Sequence, residues 1–190
     1  MPDLVLASSS PRRALLLSAA GYSITRRIPE IDETPLPDEA PEQTVVRLAR
    51  EKALSPAEED TLVLGADTTV VLDGDALGKP TDRDHAMHML HRLAGRTHVV
   101  VTGWALAIGG VIVDDGFEVT LVTMRETSNE EVAAYVDSGE PLGKAGAYAI
   151  QGEGERFVTG IVGSRSNVIG LPLTAVVPAL ARAGVHRKAV

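Results

Sequence analysis

Leu4-Val5-Leu6-Ala7-Ser8-Ser9-Ser10-Pro11-Arg12-Arg13 is the stretch on which the fold turns. Its four leading apolar residues form a short strand, and three serines then give way to Pro11. Proline suits the first helical position because the N–H it lacks would have no intrahelical partner there. Ser10 is placed as the N-cap, the helix runs over roughly Arg12 to Ala20, and Gly21 ends it. A second strand follows at Ser23 to Ile28, so the chain opens β-α-β.

Working outward, the Pro-rich segment Pro29 to Pro41 reads as one extended surface loop. Pro41 to Leu54 has helical apolar spacing at Val45, Leu48 and Ala49, and Leu62 to Leu72 is a buried strand. Asp82 to Leu93 is a helix capped by Asp82 or Thr81 and ended by Gly95. Strands Thr97 to Ile108 and Val111 to Arg125 flank a Gly109-Gly110 turn, a hairpin that makes the sheet mixed. Ser128-Asn129-Glu130-Glu131 fits a capping box for a helix that stops at Gly139. Leu171 to Ala183 is a terminal helix with Pro172 near its start and Pro178 bending or shortening it. The expectation is an α/β protein with a mixed central sheet flanked by helices, one domain over residues 1–190.

At 190 residues and 44% apolar content the chain can bury a core unaided, and its lack of cysteine removes disulfides, thiolate zinc sites and cysteine nucleophiles. No run of 18 apolar residues occurs, and Leu4 to Ala7 is too short for a signal peptide, so a cytoplasmic protein off the membrane is expected. A net charge of −8 argues against a broad surface for a nucleic-acid polymer. It leaves room for a small polyanion held by a few converging Arg and Lys residues.

Ser8, Arg12 and Arg13 lie where strand hands over to helix, a place where peptide N–H groups and the helix dipole favour phosphate; a capped helix with two solvated arginines is the plainer alternative. Asp67, in Gly65-Ala66-Asp67-Thr68, is a lone carboxylate in an apolar strand, to be explained by a lysine partner, a metal or general-base work. Glu33 follows Asp32 on the loop, a carboxylate pair that suits magnesium or manganese or is merely solvated. Lys52 sits among Arg47, Arg50 and Glu51, where a salt-bridged exposed face is the ordinary reading. Lys79, in Gly78-Lys79-Pro80, and Lys144, in Gly143-Lys144-Ala145-Gly146, occupy glycine-bounded turns that serve either the turn or a phosphate.

Gly139 to Ala145 lacks P-loop spacing, and Gly152-x-Gly154 lacks the third glycine of a dinucleotide fingerprint. His85, His88 and His91 drift around a helix and read as a partly exposed face. No Gly-x-Ser-x-Gly elbow occurs.

Taken in order, Leu6 to Arg13, Asp32-Glu33, Arg47 to Ala53, Gly65 to Thr68, Gly78-Lys79-Pro80, Thr102-Gly103, Gly143 to Gly152 and Asn167 to Leu173 resemble the Maf family, once described as septum formation inhibitors. The resemblance runs from about Leu4 to Leu173. It implies a fold akin to the inosine triphosphate pyrophosphatases, two lobes around a cleft, a divalent metal (Mg or Mn), usually a homodimer, and hydrolysis of a nucleoside triphosphate to the monophosphate and pyrophosphate. By the same resemblance Asp67 matches the proton acceptor, Glu33 an acid linked to metal and catalysis, and Lys52 and Lys79 lysines of the triphosphate site. Ser8, Arg12 and Arg13 match the phosphate-binding opening motif.

Arg12, Thr68 and Gln151 fall at the three positions where the family's dTTP and UTP branch has Arg, Thr and Gln and its 7-methyl-GTP branch has Trp, Gln and Glu. A hydroxyl and an amide can pair with a uracil-like ring edge. In the mechanism this implies, Glu33 and Asp67 hold the metal, Arg12, Arg13, Lys52 and Lys79 balance phosphate charge, and Asp67 serves as base or as ligand. A broader or 7-methyl-GTP pyrophosphatase, and a nucleotide-binding division regulator with little turnover, are the competing readings.

Overall fold

The computed structural model describes residues 4–55 and 61–187. Its chain divides into two compact units, each assembled from separated segments. The first comprises the residues up to Thr68, Thr102–Glu118 and the residues from Gly170 onward; the second comprises Thr69–Val101 and Val119–Ile169.

In the first unit β1 (Leu4–Ala7) leads into α1 (Pro11–Ala19), then β2 (Ile24–Arg27), α2 (Pro41–Leu54) and the opening of β3 (Leu62–Leu72). β1 is the central parallel partner, with Leu4 opposite Ile24 of β2 and Leu62 of β3. Alternate residues of β1 face opposite sides. Leu4 and Leu6 join Leu17, Leu62, Leu64, Trp104 and Leu106 in the main core, while Val5 and Ala7 pack with Val63. The last helix of the chain, which buries Val176, Ala179 and Leu180, closes that core.

Two glycines fix where α2 lies. A Cβ on Gly65 of β3 would collide with the Ala49 carbonyl oxygen, and one on Gly103 would collide with the Val45 backbone, so α2 rests directly on the sheet. Ala49 and Ala53 of α2 then meet Ala105 and Ala107.

The second unit takes the remainder of β3, β4 (Asp75–Leu77), α3 (Arg83–Leu93), the start of β5 (Thr97–Ile108), the end of β6 (Val111–Met124), α4 (Asn129–Asp137), β7 (Val158–Val162) and α5 (Arg165–Ile169). Two 3₁₀ turns, Ala145–Ala147 and Glu153–Phe157, precede β7. The α4 capping box forms as the sequence predicts, with Ser128 Oγ accepting from Glu131 N and Glu131 Oε2 accepting from Ser128 N. Asp82, not Thr81, caps α3 by accepting from His85 N at 2.8 Å. Tyr135 of α4 packs edge to face with Phe157, ring centroids 5.2 Å apart.

The strand order is β2-β1-β3-β5-β6-β7 with β4 on β3, a mixed sheet as expected. Several sequence expectations need correction. Ser10 occupies the α1 N-cap position but its hydroxyl makes no capping bond. The terminal helix, α6, is Leu173–Arg182, beginning after Pro172 and continuing through Pro178. β4, β7, α5 and both 3₁₀ turns are additional to the elements the sequence predicts. Asp73-Gly74, with φ of 55° and 88°, forms the tight β3–β4 turn.

Candidate active site

The start of α1 is held from below by its own residues. Ser8 is buried, and its Oγ accepts from Ser10 N at 3.1 Å and from Arg13 Nη1 at 3.0 Å. Arg26 of β2 donates to the Ser9 carbonyl at 2.9 Å, pinning the serine turn. Arg13 is buried too and is no solvated arginine. Its Nε donates to the Gly170 carbonyl at 2.7 Å and its Nη2 to Thr68 Oγ1 at 3.0 Å. Thr68 Oγ1 lies 2.9 Å from Thr102 Oγ1, extending the chain of bonds across β3 and β5. Burial pulls the Arg13 pKa below its ordinary value, Asp67 and Glu33 act against that pull, and the neighbouring Arg12 adds to it. Arg12 is half-buried, and burial lowers its pKa as well.

Lys52 departs most from the sequence expectation. It faces inward from α2, buried, and its Nζ stands 2.6 Å from Asp67 Oδ1 and 2.6 Å from Glu33 Oε1. The exposed ion-paired face consists instead of Arg47, paired with Glu39 and Glu51, and Arg50, paired with Asp115. Asp67 therefore has the lysine partner that its place in an apolar strand demanded, and Glu33 shares that partner.

Glu33 reaches Lys52 because its loop is tied to α2. Arg47 Nη2 donates to the Thr34 carbonyl at 3.3 Å while Nε donates to Glu39 Oε1 at 2.7 Å, and that guanidinium pulls the Glu39 carboxyl down to about 2. Asp32 and Glu33 do not act as a pair. Asp32 Oδ1 accepts from Thr34 N at 2.9 Å and Thr34 Oγ1 at 2.6 Å, an Asx turn that commits it to the loop. Among the described residues, no three His, Asp or Glu side chains converge as a metal cage. Two carboxylates are nevertheless hard oxygen donors of the kind that bind magnesium or manganese together with substrate phosphates.

Lys79, Lys144 and Gln151 belong to the second unit. Gly146 N donates to the Gly78 carbonyl at 3.1 Å, so the two Gly-Lys turns are joined through their backbones. Lys79 is exposed, Lys144 Nζ donates to the Glu140 carbonyl, and Gln151 is exposed on the turn before the second 3₁₀ segment. Glu140 organises that region. Its Oε1 accepts from Tyr135 Oη at 2.7 Å and Gly154 N at 3.1 Å, and its Oε2 accepts from Glu153 N at 3.0 Å. Burial raises the Glu140 pKa, but the bonds from Tyr135, Glu153 and Gly154 outweigh it and hold the carboxyl below its usual value. His85 Nδ1 lies 3.1 Å from Thr81 Oγ1, and His88 and His91 are exposed, a helix face as expected.

The family model described as "Maf-like protein" matches residues 3–183. The chain belongs to the Maf family. Among its Maf relatives, a protein of Escherichia coli O157:H7 named dTTP/UTP pyrophosphatase is 51% identical over 91% of this chain and 89% of its own length. One of Myxococcus xanthus with the same name is 52% identical over 96% of this chain and 93% of its own. A Shigella flexneri relative, 50% identical over 91% of this chain and 89% of its own, is named nucleoside triphosphate pyrophosphatase. The structure of a HAM1 protein from Coxiella burnetii covers 96% of this chain and 100% of its own at a TM-score of 0.52 and 14% identity, a likeness of fold.

In this Maf chain the structure brings Ser8, Arg13 and Thr68 into one hydrogen-bonded set and Glu33, Lys52 and Asp67 into another. Thr102 and Gly170 were visible only as pieces of motif, and the structure shows both as partners in the Arg13–Thr68 chain. Arg26 and Glu140 gave no signal, because each acts on backbone atoms that sequence spacing does not relate to it; Arg47 was legible as part of a charged helix face, but its hold on Glu39 and the Thr34 carbonyl was not.

Proposed function

We propose that this chain hydrolyses nucleoside triphosphates, dTTP and UTP foremost, to the nucleoside monophosphate and pyrophosphate. The observation that carries the reading is the buried Lys52 shared by Asp67 and Glu33, which sets a carboxylate proton acceptor beside a fixed cation. The names of relatives about half identical to this chain support it. Asp67 accepts a proton from the water that attacks phosphorus, the α–β anhydride bond breaks, and pyrophosphate leaves. Lys52, Arg12 and the turn of Ser8 stabilise the charge that builds on phosphate oxygens. Lys79 and Lys144 are assigned to the triphosphate, and Thr68 and Gln151 to the base. Arg13 orients Ser8 and Thr68 through its bonds to them.

A divalent cation, Mg or Mn, belongs to this reading; Glu33 would hold it while Asp67 takes the proton, and Asp67 would join Glu33 as a ligand where another group serves as base. When bound the cation supplies charge neutralisation on the phosphates. A cytoplasmic location follows from the substrate, and no described helix is long and apolar enough to cross a membrane. A homodimer is the assembly we assign. β6 supports it by exposing Val111, Val113, Phe117, Val119 and Leu121 at alternating positions, an apolar strip a second copy would cover.

The test is pyrophosphate release from dTTP, UTP, CTP, GTP, ATP and 7-methyl-GTP with magnesium or manganese, with Asp67→Asn as blank. Preferential turnover of dTTP and UTP, lost in the variant, is the expected result. Nucleotide binding without turnover would overturn the reading.

A further inference from the structure

Gln151 sits in the middle of a segment whose two flanks are held by one pair of side chains. On the near side, Ala149 N donates to Tyr135 Oη at 3.1 Å. On the far side, Glu153 N and Gly154 N donate to the two oxygens of Glu140 at 3.0 and 3.1 Å. Tyr135 Oη in turn donates to Glu140 Oε1 at 2.7 Å, linking the two holds. The carboxylate lies so close beneath Gly152 that a Cβ there would collide with Glu140 Oε2, and one on Gly154 would come within 2.6 Å of Tyr135 Oη. A third hold comes from Arg165, whose Nη2 donates to the Ile150 carbonyl at 2.9 Å.

We propose that Glu140 is a positioning residue for substrate selection: by fixing the backbone of Ala149 to Gly154 it aims the Gln151 carboxamide at the pyrimidine base. The inference rests on the dTTP and UTP reading above. Only a carboxylate fits the role as built. It accepts from one hydroxyl and two peptide N–H groups, whereas glutamine, equal in size, has one acceptor oxygen and an NH₂ that would face an N–H donor. Glu140→Gln therefore leaves the volume unchanged and releases one side of the turn.

The experiment compares kcat/KM for dTTP and dGTP in the wild type, Glu140→Gln, Gln151→Ala and the double variant, with circular dichroism and thermal unfolding reporting the fold. Glu140→Gln is expected to lower the dTTP-to-dGTP ratio about tenfold, mainly through KM for dTTP, the size of effect that a lost, well-placed hydrogen bond produces. In the Gln151→Ala background the same change is expected to move the ratio less than about twofold, because the group being aimed is gone. A purely structural role would depress both substrates together and leave the ratio alone.

A folded Glu140→Gln protein that keeps the wild-type ratio, or that adds its full loss on top of Gln151→Ala, overturns the positioning role while the pyrophosphatase reading stands. A wild type without pyrimidine preference removes that reading, and this inference with it. Should Glu140→Gln fail to fold, Tyr135→Phe, which deletes the hydroxyl between Ala149 N and Glu140, carries both arms with the same expected direction and a smaller shift.

Discussion

Lys52 Nζ stands 2.6 Å from Asp67 Oδ1, a contact between a buried helix lysine and a part-buried strand carboxylate. The helix reaches that far inward because Gly65, two residues before Asp67, has no side chain to hold α2 away. The closeness of the ion pair thus depends on a hydrogen atom in place of a methyl group.

Replacing Lys52 by methionine keeps the bulk and deletes the cation. Turnover of the preferred nucleotide should fall about 10² to 10³-fold, the usual consequence of removing one preorganised charge or donor from a site. Steady-state pyrophosphate release checks it. Activity within about threefold of wild type would sink the charge-balancing role.

Gly65→Ala tests the same geometry without touching a charge. The added methyl meets the Ala49 carbonyl and Ala53 N, so α2 must shift outward and Lys52 with it. We expect a stability loss of about 2 kcal/mol or more by urea unfolding, accompanied by loss of activity in whatever protein remains folded.

Arg13→Lys should prove costly despite conserving charge. An ammonium cannot reproduce the fork that reaches Gly170, Ser8 and Thr68 together, and buried acceptors would lose their donor. A destabilisation of about 1–3 kcal/mol is expected, measured by denaturant titration. Arg13→Lys at wild-type stability would contradict the network.

His98 offers a pH test away from the site. Burial pushes its pKa from 6.5 down to about 4, and its Nε2 lies 2.8 Å from Tyr148 Oη. The unfolded chain binds a proton near 6.5 that the folded chain refuses until about 4, so stability falls as pH drops through that window. The slope is about 1.4 kcal/mol per pH unit. His98→Gln should flatten that part of the profile, and matching wild-type and variant profiles between those two values would exclude His98 as the cause.

The opening β-α-β, helix α2 and the long hairpin were legible because each is written in local periodicity and punctuated by Pro11, Gly21, Pro41 or Gly109-Gly110. β4 escaped although Asp73-Gly74 signals a tight turn, because three residues are too few to show a period. β7 and α5 have the same defect. Among site residues, Asp67 stood out as one charge in an apolar strand, whereas Lys52 was masked by charged neighbours. What buries it is a glycine in another element. Glu140 was illegible for a related reason: its carboxylate serves peptide groups of residues 153 and 154, and peptide groups carry no sequence signal.

The interleaved segments of the two units bear on how the chain is made. The first unit takes in the opening residues and those from Gly170 onward, and its core includes Leu4 and Leu6 alongside Leu171, Val176 and Leu180. A nascent chain therefore holds β1 through the synthesis of every element that lies between it and α6 before that helix can cover it. The second unit, complete by Ile169, has all its residues in hand earlier. Protein truncated before α6 should consequently expose the β1 core face and be the species most in need of chaperones, even though every residue implicated in catalysis has already been translated.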